Sequence, residues 1–448
     1  MRVLQTGILL ALLLVFSHAT RGAENPMHEF PPGLIVPPGA QMGAAFDVDE
    51  ATRAYIELLS PAQRARSDAY FEGGYWLLLW GYLYSLGAAW VLLSGRRSAK
   101  LRNWCERITR RAWLRTFIFG AVTILAFFVL SLPLTIYTDY FREHAYGLAN
   151  QTFGPWFGEQ LVGLGVTMAV GALFLVAAYA FIAKFIESWW IWLSAFTAVF
   201  FMLLMLVTPV WISPLFNDYR ALADGPVKSA VLSMARADGV PADNVYWYDA
   251  SKQSNRVSAN VSGFFGTTRV SLNDNLLNKT SLPEIKAVMG HELGHYVLHH
   301  ALRGAIYFSL LFGLGFAFLH WSARRLIMRW RNRFSLRDIG DLAALPLVAA
   351  LLSTFMFIAT PVVNSITRAA EHEADIFGLN SAREPYGFAM AAMRLSSYRK
   401  MQPGRLEEII FYDHPSGYTR VHDSMRWLKE NPAAVSAPAP PDAASSIP

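Results

Sequence analysis

Ser281-Leu282-Pro283-Glu284, followed shortly by His291-Glu292-Leu293-Gly294-His295, is the stretch around which the chain is organised. A serine with a glutamate three residues on, and a proline in the first turn, marks the start of a helix. The spacing predicts a helix that begins there and runs through the second motif. On such a helix two histidines four residues apart share a face, about one turn from each other. Both imidazoles then reach one tetrahedral Zn2+, and Glu292 lies close enough to act as base on a water that the ion activates. The pattern also arises by coincidence, so its meaning depends on context: such a site needs a third protein ligand.

Composition sets that context. Of 448 residues, 54% are hydrophobic and only 16% charged, and the mean hydropathy is +0.28. This is too apolar for an ordinary soluble domain and points to membrane spans. The single cysteine, Cys105, excludes an internal disulfide framework and a cysteine-rich zinc site. The net charge of +6 does not require a nucleic-acid partner, because the arginines cluster between apolar runs, where membrane topology accounts for them.

Residues 1–23 carry Arg2, an apolar run and Ser17-His18-Ala19, and read as a signal peptide or N-terminal anchor. Residues 24–72 read as a Pro/Gly-rich linker followed by a polar helix over 47–71. Six stretches free of acidic and basic residues follow, at 74–93, 117–137, 161–182, 189–210, 304–321 and 342–363. Each is about long enough to cross ~30 Å of hydrocarbon as a helix. Trp189, Trp190, Trp192 and Trp211 sit near span ends, as an interfacial aromatic belt places them. Four spans therefore occupy 73–213, a catalytic domain 214–302, two further spans 303–363, and a segment with the third-ligand helix and a His-Pro motif 364–430. The tail at 431–448, rich in Ala, Pro and Ser, is expected to be disordered.

Charge orients the bundle. The loop after the first span carries eight basic residues (Arg96, Arg97, Lys100, Arg102, Arg107, Arg110, Arg111 and Arg115) against one acid, Glu106. The loop after the third carries Lys184, and that after the fifth carries Arg324, Arg325, Arg329, Arg331, Arg333 and Arg337. With alternating spans these loops share a side, whereas the loop at 138–160 on the other side has only Arg142. The positive-inside rule puts the basic side in the cytoplasm, so the zinc helix faces outward, into the periplasm if the membrane is a bacterial inner membrane.

In the catalytic domain, 226–238 reads as an amphipathic helix, 244–249 as a strand, and 256–264 with 268–272 as a hairpin around Phe265-Gly266-Thr267. Ser258-Ala259-Asn260 is the candidate edge to which an extended peptide substrate adds as a further strand; the alternative is a hairpin that only supports the zinc helix. Past the sixth span, Glu371 and Asp375 lie four apart on one helix face while Glu373 points to another. One carboxylate can complete a His2Glu site, and the other can accept a hydrogen bond from a ligand imidazole and fix its tautomer. His372 competes as a ligand but lies about 100° around the helix from Glu371.

These pieces resemble the type 1 CAAX prenyl proteases, integral-membrane zinc metallopeptidases of the gluzincin type, over about 132–420. The resemblance rests on Leu132-Pro133, Phe141, Glu143, Gly147 and Gln151-Thr152; on Pro214-Leu215-Phe216-Asn217, Asp224-Gly225 and Ser251-Lys252; on the zinc motif with His300 beyond it; on Asn364, Arg368, Glu371 and Ala374-Asp375; and on His414-Pro415 with Arg420. It implies that His291, His295 and Glu371 hold one Zn2+ and that Glu292 is the general base. It further implies that Asp375 supports a ligand, that His414 stabilises the transition state, and that Arg420 holds the site together. It also implies a ring of membrane helices around a chamber. The chain differs from the family in having six spans after a signal-like segment where eukaryotic members have seven. The family's Asn-Ala-aromatic triplet reads Ser258-Ala259-Asn260, and the site faces outward rather than to the cytosol. The expected fold is thus a polytopic α-helical membrane protein with a small α+β metalloprotease domain. The expected activity is endopeptidase cleavage of peptides or membrane-associated proteins, lipid-modified ones included. A membrane quality-control protease is one alternative, and a catalytically silent scaffold or transporter another; charge-free spans argue against the latter.

Overall fold

The computed structural model describes residues 27–263 and 268–434. The signal-like segment at 1–23, the hairpin turn at 265–267 and residues 435–448 of the tail lie outside the described residues. The helix expected over 47–71 is in fact two. Helix α1 (Val48–Ile56) starts at Asp47, whose side chain accepts from the Glu50 N–H. The chain then breaks and restarts at a capping box. There Ser60 N–H donates to Gln63 Oε1 at 2.8 Å, Gln63 N–H donates to Ser60 Oγ at 3.3 Å, and Pro61 takes the first helical position. From there α2 (Pro61–Leu93) runs unbroken into the first apolar span.

The membrane region continues with the amphipathic α3 (Arg97–Ile108), then α4 (Ala112–Thr135), α5 (Phe153–Lys184) and α6 (Trp189–Val207). The catalytic domain contains β1 (Tyr219–Ala221), α7 (Pro226–Ala237), β2 (Val245–Tyr248), β3 (Ala259–Ser262), β4 (Arg269–Asn273), α8 (Asp274–Lys279) and α9 (Leu282–Val297). Two long helices follow, α10 (His300–Phe334) and α11 (Leu345–Ala382), and then α12 (Pro385–Leu395), α13 (Arg405–Phe411) and α14 (Gly417–Glu430).

Among the described residues, six helices are long and apolar enough to cross a membrane: α2, α4, α5, α6, α10 and α11. Between 11% and 33% of each apolar window is buried inside the molecule, so most of that surface faces outward, where lipid tolerates it and water does not. The protein is therefore a polytopic helical membrane protein. Its basic loops meet at one end of the bundle: Arg102 pairs with Asp341 at 2.6 Å, Arg337 with Glu106 at 2.7 Å, and Arg324 with Glu187 at 3.0 Å. At the other end, the loop after α4 is tied to the catalytic domain. Asn150 N–H donates to Gln253 O, Asn255 N–H donates to Leu148 O, and Glu143 pairs with Arg256 at 2.6 Å.

The sheet has strand order β1-β2-β4-β3. β1/β2 and β3/β4 are antiparallel and β2/β4 parallel. Val231 of α7, Val245, Val270 and Leu272 of the sheet, and Ile285 and Met289 of α9 form one core, which fixes the zinc-motif helix to the sheet. β3 is an outer strand, with Ala259 opposite Leu272 and Asn260 opposite Ser271. Residues 27–46, expected to be a linker, dock on the segment at 364–430. The Arg394 guanidinium donates to the carbonyls of Phe30, Pro31 and Gly33, and Ala40 and Tyr55 join Met390, Val421 and Met425 in a buried cluster.

Candidate active site

The start of α9 is fixed by the carboxylate of Glu284, which accepts from Ser281 N–H at 2.7 Å and Ser281 Oγ at 2.6 Å and pairs with Arg394. α9 then crosses α11 where glycines face each other. A Cβ on Gly378 would lie 2.7 Å from His291 N, and one on Gly290 would lie 2.9 Å from Gly378 O. Only with glycine at both positions do the backbones approach this closely. The crossing carries Glu371 and Asp375, one turn apart, to His291.

Three side chains converge. His291 Nε2 lies 3.0 Å from His295 Nε2; Glu371 Oε2 lies 3.2 Å from His291 Nε2, and Glu371 Oε1 3.5 Å from His295 Nε2. A tetrahedral zinc with bonds of 2.0 to 2.2 Å has ligand-to-ligand edges of about 3.3 to 3.6 Å, and these separations, shared between the two Glu371 oxygens, lie within a few tenths of an ångström of that range. Glu371 Oε2 is buried without a hydrogen-bond partner, a cost that a cation at this point removes. The donor set, two imidazoles and one carboxylate, is of the kind that leaves a fourth zinc position open. His372 stands apart, 3.6 Å from Asp423, which removes it as a competing ligand.

Each histidine is held from behind. His291 Nδ1 lies 2.7 Å from Asp375 Oδ1, and Arg420 Nε donates to Asp375 Oδ2 at 2.8 Å. With Asp375 accepting from Nδ1–H, the lone pair of His291 sits on Nε2. His295 Nδ1 lies 2.9 Å from His300 Nδ1, His300 Nε2 lies 3.3 Å from Glu373 Oε2, and Arg303 grips Glu373 with contacts of 2.5 and 3.1 Å. If His295 donates from Nδ1 and His300 passes its own proton toward Glu373, the lone pair of His295 is also on Nε2. His300 and Glu373 had no assigned role in the sequence. The signal that could have found them is weak: a histidine five residues after His295 and a second glutamate two after Glu371.

His414 Nε2 lies 3.2 Å from Glu371 Oε2, and Asp413 holds His414 Nδ1 at 2.8 Å. Burial pushes the Glu292 carboxyl above its ordinary value, with His291 and His295 working in the opposite direction. Ser258, Ala259 and Asn260 lie at the start of β3, which begins at Ala259, and Ser258 N–H donates to Asn273 Oδ1. Asn260 Oδ1 and Ser262 Oγ on this strand are buried without hydrogen-bond partners. Two cavities flank the donor set. A large one of about 1340 Å³, lined by apolar side chains such as Phe201, Phe308 and Val362, reaches His295, Glu371 and the end of β3. A smaller one of about 240 Å³ reaches Glu292, His414 and the start of β3.

A His2Glu donor set at one end of a membrane-helix bundle places the protein in the class of membrane metallopeptidases. Comparison with known proteins gives the family. Residues 221–427 match peptidase family M48, and residues 50–218 match the CAAX prenyl protease N-terminal region, described as five membrane helices. The chain is 30% identical over 365 residues to an uncharacterized metalloprotease, YhfN, of Bacillus subtilis (strain 168), covering 81% of this chain and 85% of that one. It thus belongs to peptidase family M48 and is a membrane zinc metalloprotease. CAAX prenyl protease 1 of Saccharomyces cerevisiae is 32% identical over 167 residues, 37% of each chain. The crystal structure of S. mikatae Ste24p shares the fold, with a TM-score of 0.67 over 94% of this chain and 96% of that one at 20% identity.

Proposed function

We propose that the protein is an endopeptidase whose one zinc ion is held by His291, His295 and Glu371 and which cleaves peptides or membrane-associated proteins, lipid-modified ones included, on the periplasmic face of a bacterial inner membrane. The observation that carries this reading is the convergence, within 3.0 to 3.5 Å, of the His291 and His295 Nε2 atoms and the Glu371 carboxylate, with both Nδ1 atoms already engaged. The prenylated substrates in the names of the CAAX relatives fit the apolar cavity beside the site, whereas the outward orientation favours other membrane-associated chains.

A substrate strand adds along β3, where Asn260 and Ser262 have polar atoms to offer. When bound, zinc supplies Lewis acidity that polarises the scissile carbonyl and makes water nucleophilic at neutral pH. Glu292 takes the proton of the attacking water and delivers it to the leaving amine. His414, oriented by Asp413, presents Nε2 to the developing oxyanion. Asp375 and Arg420 position His291 and do not touch the reacting atoms.

The test is a chelator-sensitive assay on casein or peptides with purified protein. Glu292→Gln is expected to abolish hydrolysis while retaining zinc, and Glu371→Ala to lose the metal. Hydrolysis surviving in Glu292→Gln would sink the assignment of the base.

A further inference from the structure

The smaller cavity, on the Glu292 side of the donor set, contains a cation with no counter-ion. Arg394, Arg399 and Arg420 all line it. Arg394 is paired with Glu284 and with backbone carbonyls, and Arg420 with Asp375. Arg256, whose guanidinium lies 5.3 Å from the centre of the Tyr398 ring, is paired with Glu143. Arg399, in the turn after α12, has no hydrogen bond or ion pair among the described residues, and its guanidinium is not sealed away from the cavity. The carboxylates whose charge reaches it are Asp413 and Glu371. Asp413 is bound to His414, and Glu371 belongs to the metal set. Burial, and after it the charge of Arg420, work against the guanidinium, as expected of a cation whose partner arrives with a ligand.

We propose that this cavity is the subsite for the part of the substrate that follows the scissile bond, and that Arg399 there binds a substrate carboxylate. The proposal rests on the proteolytic reading of the site. Residues 257–259 border the small cavity and 261–263 the large one, so a strand paired along β3 crosses from one to the other past Glu292. An antiparallel substrate enters the small cavity with its C-terminal side. A chain's leading amine would meet the unpaired Arg399 guanidinium there, whereas a carboxylate meets its complement. The planar fork of arginine suits bidentate carboxylate binding. Two sources share this chemistry, the terminal carboxylate of a chain that ends shortly after the cleavage point and an acidic side chain in the same place. Arg399 is thus a specificity residue, separate from the metal ligands and the base.

The experiment uses full-length protein in detergent and a casein-derived peptide whose cleavage point has been mapped. The peptide is made in three forms: ending shortly after the scissile bond with a free acid, ending there as an amide, and as an amide with Asp at the last position. Wild type is expected to favour the free acid or the Asp form over the plain amide by about 10- to 100-fold in KM, the range of a lost hydrogen bond to a charged group. Which of the two is preferred identifies the source. In Arg399→Met that ratio is expected to collapse toward one, with Arg399→Lys in between. Equal KM for all three forms in wild type, or an unchanged ratio in Arg399→Met, would overturn the subsite. Calorimetric binding of the same peptides to Glu292→Gln, with and without Arg399→Met, reads the preference without turnover. If binding discriminates through Arg399 while wild type hydrolyses nothing, the subsite stands and the proteolytic reading falls.

Discussion

His295 is backed not by a carboxylate but by another histidine, which hands the hydrogen bond on to Glu373 and Arg303. Such outer partners fix the tautomer and ring orientation of a ligand, and their loss weakens metal binding by about 10- to 100-fold. His300→Ala is expected to weaken zinc by that factor in chelator competition, with hydrolysis recovering at saturating zinc; unchanged affinity would mean that the relay is only packing. His291 yields a prediction for the metal-free protein. Burial lowers its pKa, but the hydrogen bond with Asp375 and the nearby Glu371 carboxylate outweigh this and hold it at about 9, against 6.5 for an ordinary histidine. The folded-state value is the higher one, so the protonated ring contributes stability that is fully present below about pH 6.5 and lost as pH rises through about 9. Zinc-stripped protein in detergent should therefore melt at progressively lower temperature across that window, and zinc-loaded protein should not share the trend. A flat metal-free profile would contradict the geometry around His291. The pairing of His291 with His295 on one helix face was legible because four-residue spacing on a helix is local information. The relay of His300 and Glu373, and the isolation of Arg399, were not, because each depends on which side chains distant elements bring alongside.

The crossing of α9 and α11 brings His291, His295 and Glu371 together, and it depends on Gly290 and Gly378. A methyl at position 378 meets the backbone of His291, which cannot swing away as a side-chain tip would. Gly378→Ala is expected to cost about 1 to 3 kcal/mol, as overpacking does, and to lower both melting temperature and zinc content. Gly81→Ala on α2, where an added Cβ meets nothing within 4 Å, is the matched control and is expected to be neutral or stabilising. Equal behaviour of the two variants would refute the close approach as the determinant. The membrane helices were legible in the sequence because hydrocarbon demands long uncharged runs. Their ends were less so: α10 extends from His300 to Phe334, well beyond the apolar run at 304–321, because arginines continue a helix as readily as leucines once it leaves the apolar layer. The docked segment at 27–46 has a linker's composition, and its partners, Arg394 and Met390 among them, are hundreds of residues away. Nothing local in the sequence could show that it packs.

Fifteen basic residues in three loops gather at one end of the bundle, where Arg102–Asp341, Arg337–Glu106 and Arg324–Glu187 join those loops. The metal set and the sheet lie toward the opposite end, against the loop after α4. If the basic end is cytoplasmic, the two ends differ in their access to a membrane-impermeant reagent. The chain suits such a test because its single cysteine, Cys105, is buried and gives little background. Ala223, on an exposed turn of the catalytic domain, and Arg110, exposed at the basic end, can each be changed to cysteine. Ala223→Cys is expected to react with an impermeant maleimide in intact spheroplasts, and Arg110→Cys only after lysis. That outcome would place hydrolysis outside the cytoplasm and direct the search for substrates to exported or membrane-anchored chains. The reverse would place the site on the side where prenylated proteins are made. The charge asymmetry would then have to be read as anchoring to anionic lipid at the outer face, and prenylated chains would become the first substrates to test.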